Sequence, residues 1–179
     1  MIASRPAPYS DALVDKHGRR LRKLRISLTE ACNLRCVYCM PEHATFAHRD
    51  ELLAPTEIVD IVSDLAELGI EAVRITGGEP TLRAEFPEIA RRICEIPALK
   101  VGLTTNGWRL SEHATSLAKW GMHGVNVSLD SLDADNFRRM ARGGDLGQVL
   151  SGIRAARDAG LVVKINTVVM RGLNDHELE

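Results

Sequence analysis

The sequence predicts an α/β fold in which five β-strands alternate with α-helices along a parallel sheet. Short apolar runs that end in Gly, Asn or Asp alternate with longer segments whose apolar residues recur at helical spacing. Within each short run, polar residues occupy every second position. Strand–helix alternation implies a parallel sheet with right-handed crossovers. Five such units fit either a barrel-type curl or an open, doubly wound sheet, and the 179 residues are enough for one domain.

The strands and helices follow in order. The predicted strands are residues 24–29, 72–76, 101–105, 125–129 and 162–170. Helices are predicted from Pro55 to Gly69, from Phe86 to Cys94, from an N-cap at Ser111 to Gly121, over 134–140, and from about Val149 to Gly160.

The two ends of the chain differ from this core. Residues 1–20 are polar and aperiodic, which predicts a flexible lead-in before a core domain of residues 21–179. Residues 174–179 resemble the first turn of a helix, with a cap residue and early acids. Because the fifth strand would then lack its covering helix, we expect a fragment of a longer protein whose C-terminal part is missing.

One face of every predicted strand is polar. Sheets covered on both faces have nearly continuous apolar strands, so we expect this face to enclose a polar ligand; the alternative is an open sheet that faces solvent. Three cations against one carboxylate favour an anionic occupant, because an unpaired buried charge is costly. The set comprises Arg25, Ser27, Thr29, Arg74, Thr76, Thr104, Asn106, Asn126, Ser128, Asp130, Lys164 and Asn166.

Three cysteines, Cys32, Cys36 and Cys39, lie within eight residues after the first strand, with the spacing CxxxCxxC. Three thiolates on a [4Fe–4S] cluster leave one iron free to bind a small molecule, whereas electron-transfer clusters usually have four cysteines. The alternative is a structural Cys₃His zinc site that uses His43. Cys94 shares the apolar face of the Phe86 helix, so we expect it to be a buried structural thiol.

Composition argues against several classes of function. The chain has 23 Lys and Arg against 24 Asp and Glu, and only 4% aromatic residues, so neither charge nor stacking surface indicates nucleic-acid binding. We also see no signal peptide and no apolar run of membrane-spanning length. We therefore expect a cytoplasmic protein without a membrane partner, in which the cysteines stay reduced or bind metal.

Several motifs together resemble the radical S-adenosylmethionine (SAM) superfamily, and within it the GTP 3′,8-cyclase (MoaA) family of molybdenum-cofactor biosynthesis. The resemblance runs from about residue 16 to residue 179. The CxxxCxxC motif alone is typical of the superfamily, whereas its combination with the others is typical of the subfamily. The motifs are CNLRCVYCMP, RITGGEPTLR, LTTNG, NVSLDSLD and KINTVVMRGLND.

This resemblance implies a partial (β/α) barrel and assigns roles to the motif residues. It implies that SAM binds the iron of a [4Fe–4S] cluster that has no cysteine ligand. It also implies that one electron from a separate donor cleaves SAM, which starts the conversion of GTP to its 3′,8-cyclised product. The implied cluster ligands are Cys32, Cys36 and Cys39; the implied SAM contacts are Tyr38, Gly77, Gly78, Glu79 and Ser128; the implied GTP contacts are Arg25, Arg74, Thr104 and Lys164.

The chain also departs from the family pattern. The family carries a second cluster on three C-terminal cysteines, whereas Cys94 is the one cysteine outside the motif here. We therefore expect this chain alone to retain part of the SAM site but to be impaired in GTP cyclisation. A homodimer or a separate C-terminal chain could supply the missing part. Another radical SAM reaction, such as peptide or sulfatase maturation, is the alternative enzyme function.

Overall fold

A computed structural model describes residues 13–178 and shows five parallel strands in one sheet. The strands are β1 (Lys23–Ser27), β2 (Ala72–Thr76), β3 (Lys100–Thr105), β4 (Gly124–Ser128) and β5 (Val162–Asn166). The α-helices are α1 (Pro55–Glu67), α2 (Phe86–Cys94), α3 (Leu110–Lys119), α4 (Ala134–Ala141) and α5 (Leu146–Asp158).

The strands lie in the sheet in the same order as in the chain, β1-β2-β3-β4-β5. A doubly wound sheet reverses direction part of the way along the chain, and this sheet does not. Right-handed crossovers that always step the same way place all helices on one face. Accordingly, α1 contacts α2, α2 contacts α3, and α3 contacts α5 as one layer. The order is that of a partial barrel, as the resemblance implied.

The two faces of the sheet have the predicted composition. In the central strands, the apolar residues that alternate with the polar set are buried against the helix layer. The helix-facing core includes Val73, Ile75, Val101, Leu103, Val125, Val127, Phe86, Ile89, Leu110, Leu117 and Val149. The polar set lies on the opposite face, where its members are half-buried on β2, β3 and β4 and exposed on the edge strands β1 and β5.

Helix starts follow simple capping chemistry. The Asp133 side chain accepts a hydrogen bond from Asn136 N (2.7 Å) at the start of α4, and Asp145 accepts one from Gln148 N (3.2 Å) at the start of α5. The predicted N-cap at Ser111 is wrong. Helix α3 begins at Leu110, so Ser111 lies inside its first turn.

Two segments near the end of the chain also differ from prediction. Strand β5 stops at Asn166 rather than residue 170, because Val168 N is bonded to the Asp130 side chain instead of a strand (2.9 Å). The predicted terminal helix is a short 3₁₀ turn at Asp175–Glu177. The amide of Asn174 binds the carbonyls of Asp130 (2.6 Å) and Val168 (2.9 Å), which fixes this segment against the end of β4.

Strand β5 is an edge of the sheet, and part of its exposed surface is apolar. Val162 is 60% exposed and Ile165 is 42% exposed, and they continue into exposed Val168 and Val169. Cys94, by contrast, is half-buried against the core, and burial raises its pKa to about 11. Cys94 packs against the core as its helical spacing predicts, but it is partly rather than fully buried.

Of the predicted lead-in, residues 1–12 lie outside the described residues. Residues 13–20 form a turn closed by an antiparallel bridge between Val14 and Arg20, with the Asp15 side chain accepting from His17 N and Arg19 N (2.8 and 3.0 Å). The division into a lead-in and a core domain stays a prediction. Between residues 13 and 178, no helix is long and apolar enough to cross a membrane.

Replacing Leu103 by alanine should lower the free energy of unfolding by about 2–5 kcal/mol, because the residue is fully buried in β3 and its loss leaves a cavity. Urea unfolding followed by circular dichroism measures the change. The matched control is Leu132→Ala: Leu132 is 70% exposed, and its replacement should change stability by less than about 0.5 kcal/mol. Equal losses in the two variants would contradict this assignment of the core.

Candidate active site

The loops that follow β1, β2, β3 and β4 meet at the carboxyl-terminal edge of the sheet, because the strands are parallel. The loop after β1 carries the three cysteines and runs beside the Gly77–Pro80 turn after β2. Gly78 N donates to Thr29 O (2.6 Å), and Glu79 N donates to Ala31 O (2.8 Å). The glycine turn is thus bonded directly to the start of the cysteine loop, although the paired residues lie 48 and 49 positions apart in the chain.

Gly77 and Gly78 are required by this loop-to-loop contact. A Cβ on Gly77 would lie 2.6 Å from Thr29 O, and one on Gly78 would overlap the carbonyls of Glu30 and Ala31. Their backbone therefore approaches the start of the cysteine loop more closely than any other residue type allows. Their contact with SAM, implied by the resemblance, stays a prediction.

Glu79 is completely buried and its carboxylate is bonded to protein groups. Oε1 accepts from Thr81 N (3.1 Å), Thr81 Oγ1 (2.6 Å) and Thr105 Oγ1 (2.9 Å), and Oε2 accepts from Asn106 N (2.6 Å). Charge-assisted hydrogen bonds of this kind satisfy a buried carboxylate. Glu79 therefore joins the turn after β2 to the end of β3, and its carboxylate does not face the open side of the site.

Asn106 continues this network to the cysteine loop. Its side-chain amide donates to Asn33 Oδ1 (2.8 Å) and approaches Cys32 Sγ (3.9 Å). Leu34 N also donates to Cys32 Sγ (3.4 Å). Amide donors directed at a cysteine sulfur are groups that tune iron–sulfur clusters. The sequence placed Asn106 in the polar set, but its contact with Cys32 depends on the folding of a loop 74 residues away.

The other side of the cysteine loop is held by α4. Arg35 N donates to Ala141 O (3.0 Å), and Val37 N donates to Met140 O (2.9 Å). Leu34, which precedes them in the chain, is buried in the core. The backbone that presents the three thiols is therefore anchored on both sides.

The three thiols are close enough to influence one another. Burial raises the pKa of Cys36 to about 11, and the negative charges of Asp130, Cys32 and Cys39 add to this rise. Burial likewise raises the pKa of Cys32. Grouped thiols whose negative charges repel one another are stabilised as thiolates by a metal cation. The chemistry of this donor set fits an iron–sulfur cluster.

A single metal ion is less well matched. Among the described residues, no three His, Cys, Asp or Glu side chains converge as ligands of one ion would. Zinc holds sulfur ligands about 2.3 Å away, which brings the sulfurs close to one another, whereas each cysteine of a cluster binds a different iron. His43, the fourth ligand of the zinc alternative, lies exposed. Because the same absence of convergence among the described residues applies to Cys32, Cys36 and Cys39, the choice between the cluster and the Cys₃His zinc site stays a prediction.

Tyr38 connects the cysteine loop to β4. Its hydroxyl donates to Asp130 Oδ2 (2.7 Å), and burial together with this carboxylate raises the pKa of Tyr38. Asp130 Oδ1 accepts from Val168 N. Tyr38 as a residue remains 41% exposed, so part of its surface is available to a ligand. The sequence identified Asp130 as an inward carboxylate but did not predict Tyr38 as its partner.

The predicted GTP contacts all lie on the polar face. Arg74 crosses β3: its Nη1 donates to Leu103 O (3.1 Å) and to Asn126 Oδ1 on β4 (3.2 Å). Burial and the nearby Arg25 cation lower the pKa of Arg74. Arg25 and Lys164 are exposed on the two edge strands, and Thr104 and Ser128 are half-buried between them. The structure thus collects the predicted residues on one surface.

Sequence analysis missed Gly102, which makes the position of Arg74 feasible. A Cβ at residue 102 would lie 2.7 Å from Arg74 Nη1. Residue 102 pairs with Arg74 in the β2–β3 register, so the guanidinium lies over the glycine. The available signal was a glycine at a polar-face position of an otherwise regular strand.

Glu79→Gln should lower the free energy of unfolding by about 2–3 kcal/mol. The new amide NH₂ would face N–H or O–H groups that now donate hydrogen bonds to the carboxylate, so those groups would lose their acceptor. The control is Glu88→Gln on α2, whose side chain is 52% exposed; its replacement should cost less than about 0.5 kcal/mol. Denaturant unfolding compares the two variants. A Glu79→Gln protein as stable as its control would refute the network described for this carboxylate.

Comparison with known proteins agrees with these observations. The sequence profile of the radical SAM superfamily matches residues 26–179. GTP 3′,8-cyclases are among the curated relatives: that of Synechocystis sp. is 47% identical over 171 residues, and covers 96% of this chain and 52% of the relative. That of Rhodopseudomonas palustris strain TIE-1 is 45% identical, with 97% and 52% covered. The chain spans about half the length of the curated relatives it matches.

Solved structures share the fold at low identity. SuiB of Streptococcus suis bound to S-adenosylmethionine has a TM-score of 0.73 at 20% identity, covering 84% of this chain and 34% of that one. Methylornithine synthase has a TM-score of 0.66 at 17% identity, covering 87% and 46%. With the cysteine motif at the sheet edge and the profile match over most of its length, this chain belongs to the radical SAM superfamily.

Proposed function

We propose that this chain supplies the SAM-cleaving half of a GTP 3′,8-cyclase, which converts GTP to (8S)-3′,8-cyclo-7,8-dihydroguanosine 5′-triphosphate in the first step of molybdenum-cofactor biosynthesis. The observation that carries the proposal is the arrangement of two motifs: the three-cysteine loop at one edge of the sheet adjoins a polar face with three inward cations. Relatives at 45–47% identity bear this activity in their names.

In this proposal, Cys32, Cys36 and Cys39 hold the [4Fe–4S] cluster. When bound, the cluster and SAM supply one-electron cleavage of SAM and the hydrogen abstraction that follows. Tyr38 offers its exposed ring to SAM, while Gly77, Gly78 and Ser128 provide backbone and hydroxyl groups at the same edge. Glu79 holds the loops in place instead of contacting SAM through its carboxylate, since that carboxylate already binds Thr81, Thr105 and Asn106.

The polar face would hold GTP. Arg25, Arg74 and Lys164 supply cations for the phosphates, and Thr104 supplies a hydroxyl. No salt bridge within residues 13–178 engages these three cations. Cations without carboxylate partners are suited to an anionic ligand. The same observation favours a nucleotide over the peptide substrates of other radical SAM enzymes.

Full cyclisation requires further components. The electron has to come from a separate donor, and a second cluster needs cysteines beyond the four of this chain. We propose that a second polypeptide, either another copy or a separate C-terminal chain, completes the guanine-binding half. The cytoplasm is the proposed compartment, since reduced thiols persist there and all four cysteines are free.

Cys36→Ser should abolish cluster assembly and SAM cleavage, because a cluster held by two thiolates loses an iron ligand. Anaerobic reconstitution of the unchanged chain should give a brown protein with broad absorption near ~400 nm, and dithionite with SAM should give 5′-deoxyadenosine by chromatography. The matched control is Cys94→Ala, which should keep both signals and lose only about 1 kcal/mol of stability.

Two results would overturn the cluster. The first is 5′-deoxyadenosine formation by Cys36→Ser at the rate of the unchanged chain. The second is a colourless zinc adduct that depends on His43. If His43→Ala retains the brown colour, the Cys₃His alternative is excluded.

A variant that replaces Arg25, Arg74 and Lys164 by glutamine should bind GTP at least about tenfold more weakly, because it loses charge-assisted contacts to phosphate. Isothermal titration measures the affinity, and an unfolding curve verifies the fold. The control is Arg138→Gln on α4, whose partner is Asp135 (3.1 Å) on the helix surface. GTP affinity that is unchanged in the triple variant would contradict the proposed nucleotide face.

A further inference from the structure

A cavity of about 340 Å³ opens on the polar face toward the amino-terminal ends of the strands. The first residue of every strand lines it: Lys23, Ala72, Lys100, Gly124 and Val162. It also reaches Arg74, Asn126 and Lys164 in the middle of their strands. The cavity therefore overlaps the nucleotide face and extends below it, away from the cysteine loop. Nothing in the resemblance assigned the residues at its lower end.

Strand register places two lysines on either side of one alanine at this lower end. Lys23 pairs with Ala72, and Ala72 pairs with Lys100, so the two lysines flank a small residue in one row across β1, β2 and β3. The next row on the same face contains Arg25 and Arg74. Two residues along a strand correspond to about 6.6 Å, which is comparable to the length of a triphosphate chain.

Small residues keep the floor of the cavity open. Ala72 separates the two lysines, while Gly102 and Gly124 continue the floor across β3 and β4. A Cβ on Gly102 would meet the Arg74 guanidinium, and one on Gly124 would overlap the Val162 carbonyl. Because the Arg74 guanidinium covers Gly102, a ligand can approach the backbone beside Ala72 and Gly124 rather than at Gly102.

The cavity carries positive charge without a counterion. Its lining includes Lys23, Lys100, Arg74 and Lys164, and His123 at the rim, but no aspartate or glutamate. Glu71, next to Ala72 in the chain, faces Arg22 (3.6 Å) instead. Within the described residues, neither lysine forms an ion pair. Clustered like charges repel one another, and an anion with several negative charges relieves that repulsion.

We propose that Lys23 and Lys100 bind the terminal phosphate of a nucleoside triphosphate whose inner phosphates lie against Arg25, Arg74 and Lys164. The identity of the nucleoside rests on the proposed function, whereas the polyphosphate site does not. Lys23, Lys100, Arg25 and Arg74 occupy the two lower rows of the polar face. Lys164 shares the next row with Thr104 and Asn126, and the neutral Ser128 lies nearest the cysteine edge. This gradient directs the phosphates toward the strand starts. The lysines then favour the triphosphate over the monophosphate.

The test compares a Lys23→Gln, Lys100→Gln double variant with a Lys16→Gln, Lys119→Gln control. The control removes the same charge from two exposed residues that do not line the cavity. Isothermal titration of the full chain uses three probes: inorganic tripolyphosphate, GTP and GMP. Each exposed cation contributes about threefold, so the double variant should bind tripolyphosphate and GTP about tenfold more weakly. GMP affinity and the control's affinities should not change.

Equal loss of GTP and GMP affinity, undiminished binding in the double variant, or no tripolyphosphate binding by the unchanged chain would each overturn this proposal. Cluster assembly and SAM cleavage, measured on the same samples, report separately on the proposed function. A chain that forms no cluster but binds tripolyphosphate through these lysines would overturn that function alone.

Discussion

The strands are added to the sheet in chain order, and right-handed crossovers then place every connecting helix on the same face. This winding buries the apolar half of each strand and leaves the polar half uncovered. It also brings the loops after the strands to one edge. The cysteine motif, the glycine turn and the cationic rows are therefore parts of one surface, because the direction of winding never reverses.

At that edge, the buried Glu79 carboxylate and the two glycines beside it hold the loops together. Glu79 binds the end of β3, and Gly77 and Gly78 contact the backbone that leads into Cys32. A motif associated with ligand binding thus has a structural task of its own. Contacts within the protein are enough to position the backbone that carries the thiols.

Local patterns in the sequence were sufficient for much of the fold. Alternation identified all five strands, and helical spacing identified the buried face of α2, because both depend on neighbours in the chain. Long-range contacts were not accessible in this way. The partners of Glu79 lie up to 27 residues away, and Asp130 meets Tyr38 across 92 residues. The early end of β5 has the same cause, since a side chain from another loop captures Val168 N.

The edge formed by β5 has a consequence for the behaviour of the chain in solution. Among residues 13–178, no strand lies beside its outer backbone groups, and Val162 and Ile165 add exposed apolar surface. Such an edge is a template for adding a strand from another molecule. The sheet can therefore be extended at β5 by a further strand without a change in the order of β1 to β5.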